Sequence, residues 1–215
     1  MSTNVVATLD LAVLNAPESA EAEAFRALRA NIKFAGGADA PRVILLADTG
    51  AGATRPTVAA NLAAALALAG DATLLIDADL RQPSLHRLFG AANEAGLATY
   101  LAGGAGGALP TVATGVPGLT LLPAGPPPPN PAELLAANVF RATLAAAREG
   151  AQFVIIDAPP VTALADALSI AAVADGTLLI VRAGHTRRPA AQRAKEQLER
   201  VGAKLLGVVL TDATK

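Results

Sequence analysis

The 215-residue chain has no cysteine, no tryptophan, one tyrosine, one methionine and two histidines. Without cysteine, disulfides and thiolate metal sites are excluded, and two histidines as far apart as His86 and His185 give zinc little support. His86, alone in Ser84–Phe89, is expected to be structural. Aromatic residues make up only 3%; beside the heavy use of alanine, this points to a GC-rich genome and carries no functional information. No charge of one sign dominates. The formal net charge of −1 argues against strong electrostatic attraction to nucleic acid or to an anionic membrane. No apolar run of about 18 residues is free of Gly, Pro or charge, and the N-terminus lacks a basic segment followed by an apolar core. The expectation is a soluble, cytoplasmic protein. What is present is core-forming material, 53% hydrophobic, enough for a single domain over residues 1–215 with an N-terminal segment at 1–40.

Short runs rich in Val, Ile and Leu recur at Val43–Ala47, Ala72–Asp77, Leu119–Pro123, Phe153–Asp157, Thr177–Val181 and Leu205–Leu210. They read as strands buried on both faces. Helical stretches at Ser19–Phe34, Pro56–Ala69, Pro131–Arg148, Thr162–Ala174 and Pro189–Val201 alternate with them. This alternation predicts an α/β fold: a doubly wound, mainly parallel sheet flanked by helices, three layers in the manner of P-loop NTPases. Ligands then bind at the carboxyl ends of the strands. Gly103–Gly118 and the proline-rich Gly125–Pro131 read as surface loops.

Between the first strand and its helix stands Gly50-Ala-Gly52-Ala-Thr54-Arg55-Pro56-Thr57. Strand, Gly-rich turn and helix N-terminus form the context of a phosphate-binding loop, because backbone N–H groups and the helix dipole converge there on an anion. Three carboxylates close apolar strands nearby: Asp77 and Asp79 after Leu74-Leu75-Ile76, and Asp157 after Phe153–Ile156. Acids at strand ends beside a phosphate loop suit Mg²⁺ binding, with Asp79 and Asp157 the candidate ligands.

Several segments in order resemble the cytoplasmic domain of the bacterial tyrosine kinases (BY-kinases) of capsular and extracellular polysaccharide synthesis, over nearly the whole chain. Asp77-Ala-Asp79-Leu-Arg81 resembles the family's second Walker-type motif and Ile156-Asp157-Ala-Pro-Pro160 its Walker B. Asn130–Leu135 and Gly207–Leu210 match further stretches, and Glu23–Ile32 resembles the oligomerisation helix. The resemblance implies ATP or ADP with Mg²⁺ as cofactors, and catalytic roles for Asp77, Asp79 and Asp157. It also implies nucleotide contacts from Gly50, Gly52, Thr54, Arg55, Thr57 and Thr211, and a homo-oligomer, ring or filament, built through Glu23, Arg26 and Arg29. A membrane polysaccharide co-polymerase is the implied activator, recruiting the domain to the inner face of the membrane; nucleic acid is not an expected partner.

The departures lie where ATP would sit. The family's Gly-Lys-Ser/Thr falls on Thr54, Arg55 and Pro56. Thr54 adds a Cβ where backbone must approach phosphate, and Arg55 replaces a compact ammonium by a planar fork. Pro56 removes an N–H and the Mg²⁺-binding hydroxyl. Losing such contacts weakens Mg-ATP binding by about two to four powers of ten. Thr211 replaces an Asn near the adenine, and the tyrosine-rich tail is missing, Tyr100 being expected to pack rather than receive phosphate. Three functions compete: an impaired BY-kinase homologue acting as scaffold or regulator; an active kinase or ATPase using Arg55 and Thr57; and a Min/Par-type positioning ATPase. The last is disfavoured, since Asp48-Thr49-Gly50 stands where those proteins carry a second lysine.

Overall fold

The computed structural model describes residues 9–35, 37, 40–50, 54–136, 138–163 and 165–213. The parts of the phosphate loop at 51–53, Gly52 among them, lie outside the described residues. Seven strands form one sheet: β1 Val43–Asp48, β2 Thr73–Asp77, β3 Val112–Ala113, β4 Leu119–Leu122, β5 Phe153–Asp157, β6 Gly176–Arg182 and β7 Leu205–Thr211. Their order is β3-β4-β2-β5-β1-β6-β7, parallel except for the antiparallel β3–β4 pair. The expected α/β, doubly wound, mainly parallel architecture is the one observed.

The apolar runs become strands because each is short and rich in Val, Ile and Leu. β1, β2 and β5 are buried at every residue. Their side chains alternate between two cores, one on each face of the sheet. Leu46, Leu75 and Ile155 point into the core that contains α2 (Ala20–Phe34) and α3 (Thr54–Ala67), while Leu45, Ile76 and Ile156 point into the core with α7 (Asn138–Gly150) and α8 (Ala165–Ala171). α3 is almost wholly buried, its Ala-rich surface letting it lie close on the strands. α9 (Arg188–Arg200) packs beside β7.

Several expectations need correction. β7 is not buried on both faces: it is the sheet edge, with Val208 58% and Leu210 56% exposed. Pro131–Arg148 is two helices, α6 (Pro131–Ala136) and α7, on either side of residue 137. Thr162–Ala174 shortens to α8. The loop expected at Gly103–Gly118 contributes β3, which pairs with β4. A short helix α1 (Ala12–Asn15) was not foreseen; it is tied to α3 where Val13 N–H donates to the fully buried Asn61 Oδ1 at 3.2 Å. Two further short helices are α4 (Leu85–Leu88) and α5 (Leu97–Ala102). Among the described residues no helix is long and apolar enough to cross a membrane.

Candidate functional site

Strand parity assembles the site. Asp77 and Asp157 are register partners on adjacent parallel strands, and Asp157 also faces Leu46 of β1. Residues paired across a sheet project to the same face, and a step of two keeps that face. Asp77 therefore follows Leu75, Asp157 follows Ile155 and Asp48 follows Leu46, all three towards α3. Asp79 lies two residues beyond Asp77. The carboxyl ends of three strands thus deliver four carboxylates to the N-terminus of one helix.

That helix begins two residues earlier than expected, at Thr54, so Arg55 and Pro56 both stand in its first turn. Proline is tolerated there because the first N–H groups have no intrahelical partner. Arg55 turns inward and is only 5% exposed. Its Nε donates to Asp157 Oδ1 at 2.5 Å, Nη2 to Asp79 Oδ2 at 3.0 Å and Nη1 to Asp48 Oδ2 at 3.3 Å. A planar fork with five donors can hold three carboxylates at once where a lysine ammonium cannot.

The remaining oxygens are also committed. Asp48 Oδ1 accepts from Gly50 N–H at 2.8 Å, in a turn where Gly50 has φ +82° and any Cβ would stand 3.3 Å from Pro160 Cβ. Asp79 Oδ1 accepts from Gln82 N–H. Asp77, expected to be catalytic, accepts from Asp79 N–H through Oδ1 and from Ser84 and Leu85 N–H through Oδ2, which anchors the start of α4. Among the described residues, Asp157 Oδ2 alone of these carboxylate oxygens has no partner. Mg²⁺ needs about six oxygens in near-octahedral array, and among the described residues no group of three or more His, Asp or Glu side chains is placed to hold a metal ion. The carboxylates as arranged do not fit Mg²⁺.

Burial controls the protonation of this cluster. It pushes Asp77 up to about 7, reinforced by the neighbouring Asp157 and opposed by the Leu85 and Ser84 N–H groups. Burial also raises Asp157, to about 6, although Arg55 pulls it down. Asp48 is raised by burial against the same Arg55. For Arg55, burial alone would lower its pKa; Asp157, Asp48 and Asp79 outweigh that and raise it, so it stays charged.

A cavity of about 710 Å³ opens in front of the cluster. Gly50, Arg55, Thr57 and Asp79, all marked by sequence, line it with Asp48 and Pro56. Gln82, Ser84, Arg87, Leu88 and Pro160 complete the wall. Asp157 lies behind Arg55, fully buried. Thr54 and Thr211 meet across the loop, hydroxyl to hydroxyl at 3.5 Å. Asp48 was missed as a site residue, although it ends an apolar strand just as Asp77 and Asp157 do.

The candidate oligomerisation residues lie elsewhere, on α2, with Phe25 and Ile32 buried beneath them. Arg26 is satisfied within its own chain. Its Nη1 bonds Glu23 Oε2 at 2.9 Å, and its Nη2 donates to Pro17 O. Arg29 Nη1 donates to Ala65 O at 3.2 Å, capping the C-terminal turn of α3. Tyr100 is half-buried, its hydroxyl 3.2 Å from the carbonyls of Ala105 and Gly107.

No protein-family model matches the chain. Known proteins do. The chain is 36% identical over 210 residues to the tyrosine-protein kinase YwqD of Bacillus subtilis, covering 98% of this chain and 86% of that protein. The BY-kinase resemblance is thereby decided. This chain belongs to the bacterial tyrosine-kinase family. It is also 38% identical over 189 residues to the tyrosine-protein kinase CpsD of Streptococcus agalactiae, covering 87% of this chain and 82% of that one. The kinase domain of Escherichia coli tyrosine kinase ETK superposes with a TM-score of 0.90 at 30% identity, over 97% of this chain and 82% of that chain. Structural likeness to Cyanthece McdA (22% identity, TM-score 0.67) and to cobyrinic acid a,c-diamide synthase of Mycobacterium smegmatis (24% identity, TM-score 0.65) extends to the fold alone.

Proposed function

We propose that this BY-kinase homologue is an oligomeric scaffold or regulator in capsular or extracellular polysaccharide biosynthesis, with weak or no Mg-ATP binding. The observation that carries the proposal is the placement of Arg55. A loop lysine serves ATP by reaching out to its phosphates, whereas this arginine reaches back to Asp48, Asp79 and Asp157. Pro56 supplies neither N–H nor hydroxyl to replace what is lost. The assembly partner is a second copy, docked through Glu23, Arg26 and Arg29 into a ring or filament, together with a membrane polysaccharide co-polymerase that recruits this cytoplasmic domain.

Isothermal titration with Mg-ATP tests the nucleotide half of the reading. The expected result is no measurable binding, and a dissociation constant in the low micromolar range would sink it. The triple variant Thr54→Gly, Arg55→Lys, Pro56→Ser is expected to gain about tenfold or more in affinity, the equivalent of one good hydrogen bond.

The second reading is an active kinase with an altered loop. It draws support from Thr57, whose position on the cavity wall together with Asp79 could offer a displaced hydroxyl to a metal. On that reading radioactive ATP labels Tyr100, and Asp79→Ala or Asp157→Ala abolishes the labelling. On the scaffold reading no label appears.

A further inference from the structure

The sheet has two edges of opposite kind. β3 ends it with two residues, Val112–Ala113, and an edge that short offers little to a neighbour. β7 ends it with seven, Leu205–Thr211, without proline or charge. Val208 and Leu210 are two of the five large hydrophobic side chains exposed among the described residues, and alternation puts them on one face. The main chain of this edge is open as well. Thr211 C=O accepts from Ala183 N–H at 2.9 Å, so Thr211, and by alternation Val209 and Gly207, turn their main-chain groups towards β6. Val208 and Leu210 turn theirs outward. Gly207 adds no side chain, although a Cβ there would meet nothing within 4 Å, so its own packing does not demand glycine. Glycine within a strand often marks the close approach of another backbone. Charges of opposite sign flank the strand, Lys204 before it and Asp212 after it. Among the described residues the Lys204 ammonium has no partner, and Asp212 gives only Oδ2, to Arg182.

We propose that β7 pairs antiparallel with β7 of a second copy of this chain, about a two-fold axis at Val209. In that register the outward N–H and C=O groups of Val208 meet those of Leu210 in the second copy, and the reverse, while the four side chains gather on one face. Antiparallel pairing also runs the flanking charges head to tail. Lys204 of each copy then lies diagonal to Asp212 of the other, within reach of its long side chain, whereas parallel pairing sets like charges together. The edge is thus complementary to itself in hydrogen bonding, apolar surface and charge. This contact is isologous and separate from the head-to-tail contact through α2. Because a single strand edge buries little surface, the contact belongs among weak interfaces: dilute protein stays monomeric, and copies already concentrated are joined.

The test is a disulfide trap in the full chain, which has no cysteine of its own to compete. Arg26→Ala with Arg29→Ala serves as the background, so the outcome is separate from assembly through α2. Val208→Cys and Leu210→Cys proteins are mixed at high concentration under a mild oxidant, and intact mass tells the mixed disulfide from the two self-paired ones. The mixed species is expected to form about tenfold or more faster than either self-paired species, because hydrogen-bonded residues facing each other have Cα atoms about 5.5 Å apart, a spacing that a disulfide accepts. Val201→Cys, exposed at the end of α9, sets the rate of chance collision. Lys204→Glu added to both partners is expected to slow the mixed disulfide, since it turns the diagonal attraction into repulsion. A mixed disulfide that forms no faster than the self-paired species, or no faster than Val201→Cys with itself, would overturn the inference.

Discussion

Arg55 and Arg26 each hold a carboxylate, yet they occupy opposite regimes. Arg55 has a side chain 6% exposed, facing acids that are 9% exposed or less. Arg26 is 38% exposed and its partner Glu23 71%. In the first region the charged groups are buried, so breaking the pair strands buried charge. In the second, water replaces whatever the pair loses, and two long side chains give up rotamer freedom to meet. Similar bonds on paper therefore differ several-fold in consequence. The buried arginine is tied to the fold, and the exposed one is held only by a solvent-accessible pair.

The largest effect expected from breaking this comparison is at Arg55. Arg55→Ala in metal-free buffer is expected to destabilise the domain by about 3–5 kcal/mol, the cost of leaving a buried charge uncompensated. Denaturant unfolding measures it, and a loss below about 1 kcal/mol would place the cluster in the exposed regime after all.

Next in size is the pH dependence of stability. Asp77 at about 7, Asp157 at about 6 and a raised Asp48 all lie above their ordinary value of 3.8. The native state therefore binds more protons than the unfolded state between roughly pH 4 and 7. Stability from these groups is complete below about pH 4 and is lost as pH rises through the folded values, by on the order of 2–4 kcal/mol. Asp175 works in the opposite sense. Burial pushes it up, but Arg148 and the N–H groups of Val43 and Arg42 bring it lower, so its contribution is lost as pH falls below 3.8. Melting temperature is expected to peak near pH 4–5 and decline towards neutrality, with Asp77→Asn flattening the decline. A melting temperature that rises from pH 4 to 7 would contradict this.

The smallest effect on stability is expected from Arg26→Ala combined with Arg29→Ala, about 1 kcal/mol or less, since one loses an exposed pair and the other a helix-end hydrogen bond. The same double variant is expected to reduce any assembly to monomer in light scattering. An assembly that persists would remove α2 as the interface.

Much of the framework was legible because burial repeats locally. An apolar run such as Phe153–Ile156 becomes a strand wherever it sits, and the aspartate that ends it must emerge at the sheet's carboxyl edge. β7 escaped this logic. Leu205–Leu210 looks like a central strand, and only its place at the sheet edge leaves Val208 and Leu210 in water. The β3 pairing was hidden because two residues among glycines carry no period to read.

Residue chemistry alone determined which groups the phosphate loop lacks at these two positions: Pro56 has no N–H in any conformation, and Arg55 has no compact ammonium. What Arg55 does instead was settled only in three dimensions. Its side chain has four rotatable bonds and no local preference for the cavity or the interior. The choice was made by Asp48, Asp79 and Asp157, from 7, 24 and 102 positions away along the chain. Strand register and parity brought their unbalanced charge to one point, where a buried guanidinium costs less than buried carboxylates left alone.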